Sequence, residues 1–261
     1  ALCRMAAYSG SPIPLHDFLR APGHSLIEQA HAPAETVSAT VNADGIGIGW
    51  YAPDGQPATY RSGLPAWADP NLDGLSRSLS QTVWIANVRS ATDPLSNAIA
   101  NTQPFIDHHR LFLHHGFIED FARCVRRPLR AALEPAYEAA INGTTDSEYL
   151  FALLRQQTDR QDDLVAGVQA TVQQLHTWLD AAGVGALCNI IVADGTRLVV
   201  LRHAYGYAPP SLYIHARHPG FAGGALAASE PLDNDTGWTA VAQDQIVTLE
   251  PDRHIETFPL Q

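Results

Sequence analysis

The chain predicts an α+β sandwich, and three observations carry that reading. Short runs of alternating apolar residues fill the first and last thirds of the sequence. Longer apolar patterns with a 3–4 spacing concentrate in the middle. No regular strand–helix–strand alternation joins the two, so packed antiparallel sheets with helices are expected rather than a parallel βαβ fold. In chain order, Gly45–Trp50 and Ala58–Arg61 flank Pro53-Asp54-Gly55 and read as a hairpin. Thr82–Arg89 and Arg110–His114 are strand candidates rich in β-branched and aromatic residues. Ile118–Val125 reads as a helix stopped near Pro128, and Asp146–Gln157 as a second helix. From Leu164 the residues Val168, Val172, Leu175, Trp178 and Leu179 form one helical stripe, with Asp162 and Asp163 placed to cap it. Cys188–Ala193 and Arg197–Arg202 flank Asp194-Gly195, a strong hairpin signal. Ser211–His215, Gly224–Ala228, Gln245–Leu249 and Ile255–Phe258 continue the β character.

Composition narrows the class. With 261 residues, 46% hydrophobic and 16% charged, the chain builds a sizeable core, and without repeats or long linkers a single domain over 1–261 is expected. No apolar run reaches the 18 or so residues of a membrane span. The start, ALCRMAAYSG, shows no secretory leader, and Cys3, Cys124 and Cys188 form neither a disulfide framework nor a zinc motif. A reducing cytoplasm is the expected location. The net charge is −11 and every basic residue is arginine. Such a chain is a poor nucleic-acid partner, because phosphate neutralisation dominates that affinity. The cluster Arg123–Arg130 reads as one solvated helical face, and neither a nucleic acid nor a membrane is an expected partner.

Several segments could carry chemistry. Asn42-Ala-Asp44-Gly45-Ile-Gly47-Ile-Gly49-Trp50 holds GxGxG inside an apparent strand with no helix after it, so it fails as a dinucleotide loop. Alternating glycines in a strand mark either a flattened strand or a close approach by a ligand or another chain segment. Arg89 closes an apolar strand and is either a rim residue or a carboxylate clamp, since its planar fork matches two oxygens. Asp146, with Thr145, reads as a helix cap or as a fixed anion for an ammonium group. Arg89 and Asp146 together would grip the two ends of an α-amino acid. His114 and His115, adjacent on a strand, point to opposite faces and cannot share one metal, and no metal site is indicated.

Taken together these motifs resemble the class II glutamine amidotransferases of the N-terminal nucleophile (Ntn) hydrolase superfamily. The matching segments are Cys3-Arg4, Asn42–Trp50, Val88-Arg89-Ser90-Ala91-Thr92, Asn101-Thr102-x-Pro104-Phe105, His114-His115-Gly116, Thr145–Glu148 and Ala228-Ser229-Glu230-Pro231-Leu232-Asp233 with Gly237-Trp238. Within the family the chain is most similar to stand-alone γ-glutamyl hydrolases of ergothioneine biosynthesis. The resemblance implies a four-layer αββα sandwich of two stacked antiparallel sheets. It implies that the Cys3 thiolate attacks the γ-carbonyl of a small γ-glutamyl amide and forms a thioester that water hydrolyses, with no cofactor. Residue by residue, Arg89 would clamp the substrate carboxylate and Asp146 its ammonium. Ser90, Thr92, His114, Asn42 and Asp44 would line the substrate site, and Gly116 would offer its N–H to the oxyanion.

The chain also departs from the family pattern. Ala1 and Leu2 precede Cys3, whereas the family's nucleophile opens the mature chain and its free amine serves as base. Trimming to Cys3 or service by His115 is therefore expected. His115 stands where asparagine is usual, and could act as a ring N–H donor or as a substitute base; Gln103 stands where histidine is usual. These departures leave two alternatives open, a catalytically impaired binder of a γ-glutamyl or amino-acid ligand and a repurposed Cys/His site. A homo-oligomer is also left open, with Trp67 able to serve an interface or a pocket lip.

Overall fold

A computed structural model of the protein describes residues 3–35, 41–90, 98–250, 252 and 254–261. The first strand, β1 (Arg4–Pro14), leads into two short helices, α1 (Leu15–Leu19) and α2 (Leu26–His31). The hairpin β2 (Ile46–Tyr51) and β3 (Pro57–Ser62) follows, then α3 (Leu72–Ser78) and β4 (Ser80–Val88). Next come β5 (Phe105–Ile106), β6 (Leu111–Ile118), α4 (Arg126–Ala132), α5 (Pro135–Glu138), α6 (Asp146–Gln161) and α7 (Leu164–Ala182). Apart from a 3-10 turn at Pro219–Phe221, the regular elements of the last third are strands: β7 (Ala186–Ala193), β8 (Leu198–Arg202), β9 (Ala204–Tyr205), β10 (Tyr213–His218), β11 (Gly224–Ala228), β12 (Thr239–Ala240), β13 (Gln245–Leu249) and β14 (Ile255–Pro259).

These strands form two sheets, ordered β12-β10-β11-β1-β4-β2-β3 and β14-β13-β8-β7-β6-β5, with β9 added beside β7. Strand alternation sorts the side chains into layers. Met5 and Ala7 of β1 face Leu113, Ile191 and Val200 of the other sheet across the shared core. Ala6, Tyr8 and Trp84 point the other way, under Phe18, Leu26 and Leu72 of α1–α3. Phe112, Ile190 and Val192 pack outward against Phe151, Val168 and Leu175 of α6 and α7. The result is the expected αββα arrangement.

The structure corrects the sequence reading in three places. β1, the middle of its sheet, is buried on both faces from Arg4 to Gly10's neighbour Ser9, so it lacks the alternation by which a half-exposed strand is recognised. The expected helix Ile118–Val125 begins late, because β6 pairs with β7 through Ile118↔Ala186. Phe121–Val125 then forms a π turn that runs into α4. Pro128 lies in the first turn of α4 rather than ending a helix, since a missing N–H costs little there. By contrast, Asp163 caps α7 as expected, its Oδ2 accepting the Ala166 N–H at 2.7 Å.

Candidate active site

The amino end of β1 sets the site. Arg4 pairs with Val88 of β4, and Val88 pairs with Ile46 of β2, so Cys3 and Arg89 are the next residues along their two neighbouring strands. Backbone bonds fix Arg89: its N–H donates to Gly45 O at 2.9 Å and its carbonyl accepts the Asp44 N–H at 3.0 Å. The half-buried Cys3 thiol lies 3.9 Å from the carbonyl of buried Ser90. Burial pushes the thiol pKa up, and the Arg89 charge opposes that shift. Burial in turn lowers the pKa of the Arg89 guanidinium, against the pull of Cys3 and Asp44. Cys188, fully buried, is pushed up to about 12 and stays a thiol. Asn42 is buried in the segment that bridges α2 to Arg89, its N–H bonded to Ala30 O at 2.8 Å.

The second sheet supplies the other wall. His115 shares the inward face of β6 with Leu113, while His114 turns toward the helices, as adjacent strand residues must. Both ring nitrogens of His114 are engaged, Nδ1 with Ser147 Oγ at 2.7 Å and Nε2 with Leu187 O at 2.9 Å. Its ring therefore braces β6 against α6. The side chain of Gln103 completes this brace, accepting the His114 N–H at 2.7 Å and donating to the His114 carbonyl at 3.0 Å. Gly116 sits so close to β7 that a Cβ would meet Leu187 O at 1.8 Å. Asp146 opens α6 with Thr145 as the cap, and its Oδ2 accepts the Ile118 N–H at 2.7 Å, two residues beyond Gly116. Cys3 and Arg89 are thus neighbours on one sheet, while Gly116 lies on the other sheet and Asp146 at the start of α6, tied to the strand that carries Gly116. Thr92, Ala1 and Leu2 lie outside the described residues.

Ser229 ties the two sheets together. Its Oγ accepts the Met5 N–H at 3.1 Å and lies 3.4 Å from His115 Nδ1. Beside it Glu230 is a buried hub, ion-paired with Arg4 Nη2 at 2.9 Å and hydrogen-bonded to His24 Nε2 at 2.7 Å and to the backbone N–H groups of Ala34 and Glu35, each at 2.9 Å. Sequence reasoning quoted both residues within a motif but gave them no task.

A different cluster also escaped it. Ligand atoms of His215, His218 and Asp235 lie within 4.8 Å of one another, as a metal would require. Yet the Nδ1 atoms of the two rings accept N–H groups from Arg217 at 3.3 Å and Gly220 at 3.0 Å. Their Nε2–H groups therefore donate to Asp235 at 2.7 Å and Asp233 at 2.9 Å. A metal-bound imidazole donates from its other nitrogen, the reverse of this pattern. The signal lay in residues about 20 positions apart, which spacing rules do not connect.

Residues 30–247 match the class-II glutamine amidotransferases, and the chain belongs to that family of enzymes. It is 29% identical, over 99% of its own length and 100% of the relative's, to the γ-glutamyl-hercynylcysteine sulfoxide hydrolase of Mycolicibacterium smegmatis. It is 31% identical to the Mycobacterium tuberculosis protein of the same name, over 97% of this chain and 91% of that one. A glutamine aminotransferase class-II domain protein from Silicibacter pomeroyi shares the fold with a TM-score of 0.74 at 23% identity, covering 99% of this chain and all of the other. Among the described residues no helix is long and apolar enough to cross a membrane.

Proposed function

We propose that this enzyme hydrolyses the γ-glutamyl amide bond of a small substrate through a thioester on Cys3, with γ-glutamyl-hercynylcysteine sulfoxide, and so a step of ergothioneine biosynthesis, as the leading candidate. The observation that carries the proposal is the corner shared by Cys3 and Arg89. It sets a thiol beside a buried guanidinium on one wall of the core, in a family defined by glutamine amide cleavage. Arg89 clamps the substrate α-carboxylate, a bidentate match its fork favours. Asp146 holds the α-ammonium, and Asn42, Asp44, Ser90 and Thr92 complete the glutamyl pocket. The Gly116 N–H faces the carbonyl oxygen as it gains charge. His114 acts through β6, by holding it against Ser147 and Leu187.

The bond changes balance without a cofactor. The Cys3 sulfur bonds to the carbonyl carbon of the γ-glutamyl amide, and the C–N bond at that carbon breaks. The thiol proton leaves with the amine, and water then cleaves the thioester to glutamate. A reducing cytoplasm suits a reaction that depends on a free thiolate. The test is to incubate the protein, both as isolated and beginning at Cys3, with a panel of γ-glutamyl amides that includes the sulfoxide. Released glutamate and a glutamyl adduct mapped to Cys3 by mass spectrometry are expected, and Cys3→Ala abolishes both. Turnover that persists in C3A refutes the proposal.

A further inference from the structure

Where α7 packs on the second sheet, two histidines meet that the hydrolase reading does not use. His176, half-buried on α7, and buried His203, between β8 and β9, bring their Nε2 atoms within 2.8 Å of each other. Behind His203 the carboxylate of Asp244, the residue before β13, lies 2.6 Å from Nδ1.

Hydrogen accounting gives each atom its part. A carboxylate accepts, so the neutral His203 ring carries its hydrogen on Nδ1 and presents an Nε2 lone pair to His176. The single hydrogen between the two rings then sits on His176 Nε2. Among the described residues no protein group bonds His176 Nδ1. That hydrogen can therefore move to Nδ1, which leaves two Nε2 lone pairs facing one point. An imidazole that gives Nδ1–H to a carboxylate and keeps Nε2 free is arranged as a metal ligand is. His215 and His218 are not, because backbone N–H groups already occupy their Nδ1 lone pairs.

The deeper half of the pair is held in place. The His203 N–H donates to Asn189 Oδ1 at 3.2 Å, and its carbonyl accepts the Cys188 N–H at 2.8 Å. The Asp244 N–H donates to Arg202 O and its carbonyl accepts the Leu260 N–H, both at 2.8 Å. Tetrahedral Zn²⁺, with Zn–N bonds of about 2.0–2.1 Å, sets two nitrogens roughly 3.3 Å apart. The pair must open from 2.8 Å by about half an ångström, and that movement falls on His176 at the surface of α7.

We propose that His176 and His203 form a site for a divalent transition metal ion of the Zn²⁺ class, with Asp244 orienting His203 and water in the remaining positions. Imidazole nitrogens suit such ions. Asp180, exposed and one turn further along the same face of α7, adds a carboxylate to the rim. On binding, the His176 hydrogen passes from Nε2 to Nδ1 through water, so both rings stay neutral and no proton is released. The ion clips α7 to the second sheet, whereas Cys3 precedes β1 of the first, so the inference stands apart from the hydrolase reading.

The test is a Zn²⁺ titration of the full chain under reducing conditions, read by calorimetry and by ¹⁵N-histidine NMR. One ion per chain is expected, bound through Nε2 of two rings that both carry Nδ1–H. His176→Ala, at a half-exposed helical position, should lose the ion, while C3A and H215A keep it. Asp244→Asn should weaken binding by about 10–100-fold, the usual cost of losing an orienting partner. Asparagine tolerates the left-handed φ of 61° at that position, so the variant keeps the fold. The ion should also raise the Tm of the unaltered protein by about 3 °C at ten times its Kd, and leave that of H176A unchanged.

Uptake only at millimolar Zn²⁺ would make the pair a hydrogen-bonded staple and overturn the metal site. An ion kept by H176A, or lost in C3A or H215A, puts the metal elsewhere and overturns it as well. Equal affinity in D244N overturns the part given to Asp244.

Discussion

At the residue scale, a buried ion pair lies directly beside the candidate site. Arg4 and Glu230 are each 1% exposed, directly beside Cys3 and Ser229 in sequence. Burial alone would raise the Glu230 pKa, but His24, the N–H groups of Ala34 and Glu35, and Arg4 outweigh it and hold the carboxyl below its ordinary value. The two partners are therefore not equivalent. Removing the carboxylate strands a buried guanidinium and three other donors, whereas removing the guanidinium leaves Glu230 with His24 and two N–H groups. Glu230→Gln should cost about 3–5 kcal/mol, the range for breaking a buried pair, and Arg4→Met distinctly less. Urea denaturation of the two variants checks this, and an Arg4→Met loss equal to that of E230Q would show that the ion pair, not the hub, carries the stability.

At the scale of elements, the glycine pattern of β2 is explained by what crosses it. A Cβ on Gly47 would lie 1.6 Å from Gln103 O, and one on Gly49 would press on Leu111, Ile85 and Pro104. The Asn101–Pro104 segment thus lies directly on the strand. Gly74, in α3, has nothing within 4 Å of its Cβ position. Gly47→Ala should destabilise by several kcal/mol through a backbone clash, while Gly74→Ala should stabilise by up to about 1 kcal/mol through helix propensity. Thermal melts of the pair give opposite shifts if this is right.

That contrast also shows how far a sequence can be read. GxGxG left a flattened strand and a close approach both open and named no partner, and the structure decides for close approach by Gln103, more than 50 residues away. The long helix α7 and the hairpins were legible because capping and turn chemistry are local. β1 was not, because a strand buried on both faces carries no alternation, and the π turn at Phe121–Val125 has no periodic signature. Within the site, Cys3, Arg89 and Asp146 stood out through motifs. The tasks of Ser229 and Glu230 were hidden, since they follow from register between strands over 200 residues apart.

At the scale of the molecule, these buried groups set how the fold responds to acid. His115, His114 and His176 all have pKa values lowered first by burial, so each binds its proton more readily in the unfolded chain. The signs follow from linkage. Between the ordinary histidine value near 6.5 and the folded value of about 3 for His115, the unfolded state holds more protons, so stability falls as pH drops through that window. The carboxyls of Glu230, Asp233 and Asp194 are held below their ordinary values, and their contribution is lost only at lower pH, from about 4.5 downward. Acid should therefore weaken the fold in two stages, histidines first. One fully buried neutral histidine contributes a slope of roughly 1 kcal/mol per pH unit in its window. His115→Asn should remove about that much slope between pH 4.5 and 6 while leaving the steeper loss below pH 4.5 in place. Urea midpoints measured at half-unit pH steps would show it. Parallel curves for the two proteins would mean that the His115 ring is protonated in the folded state, which would contradict its burial as a neutral ring.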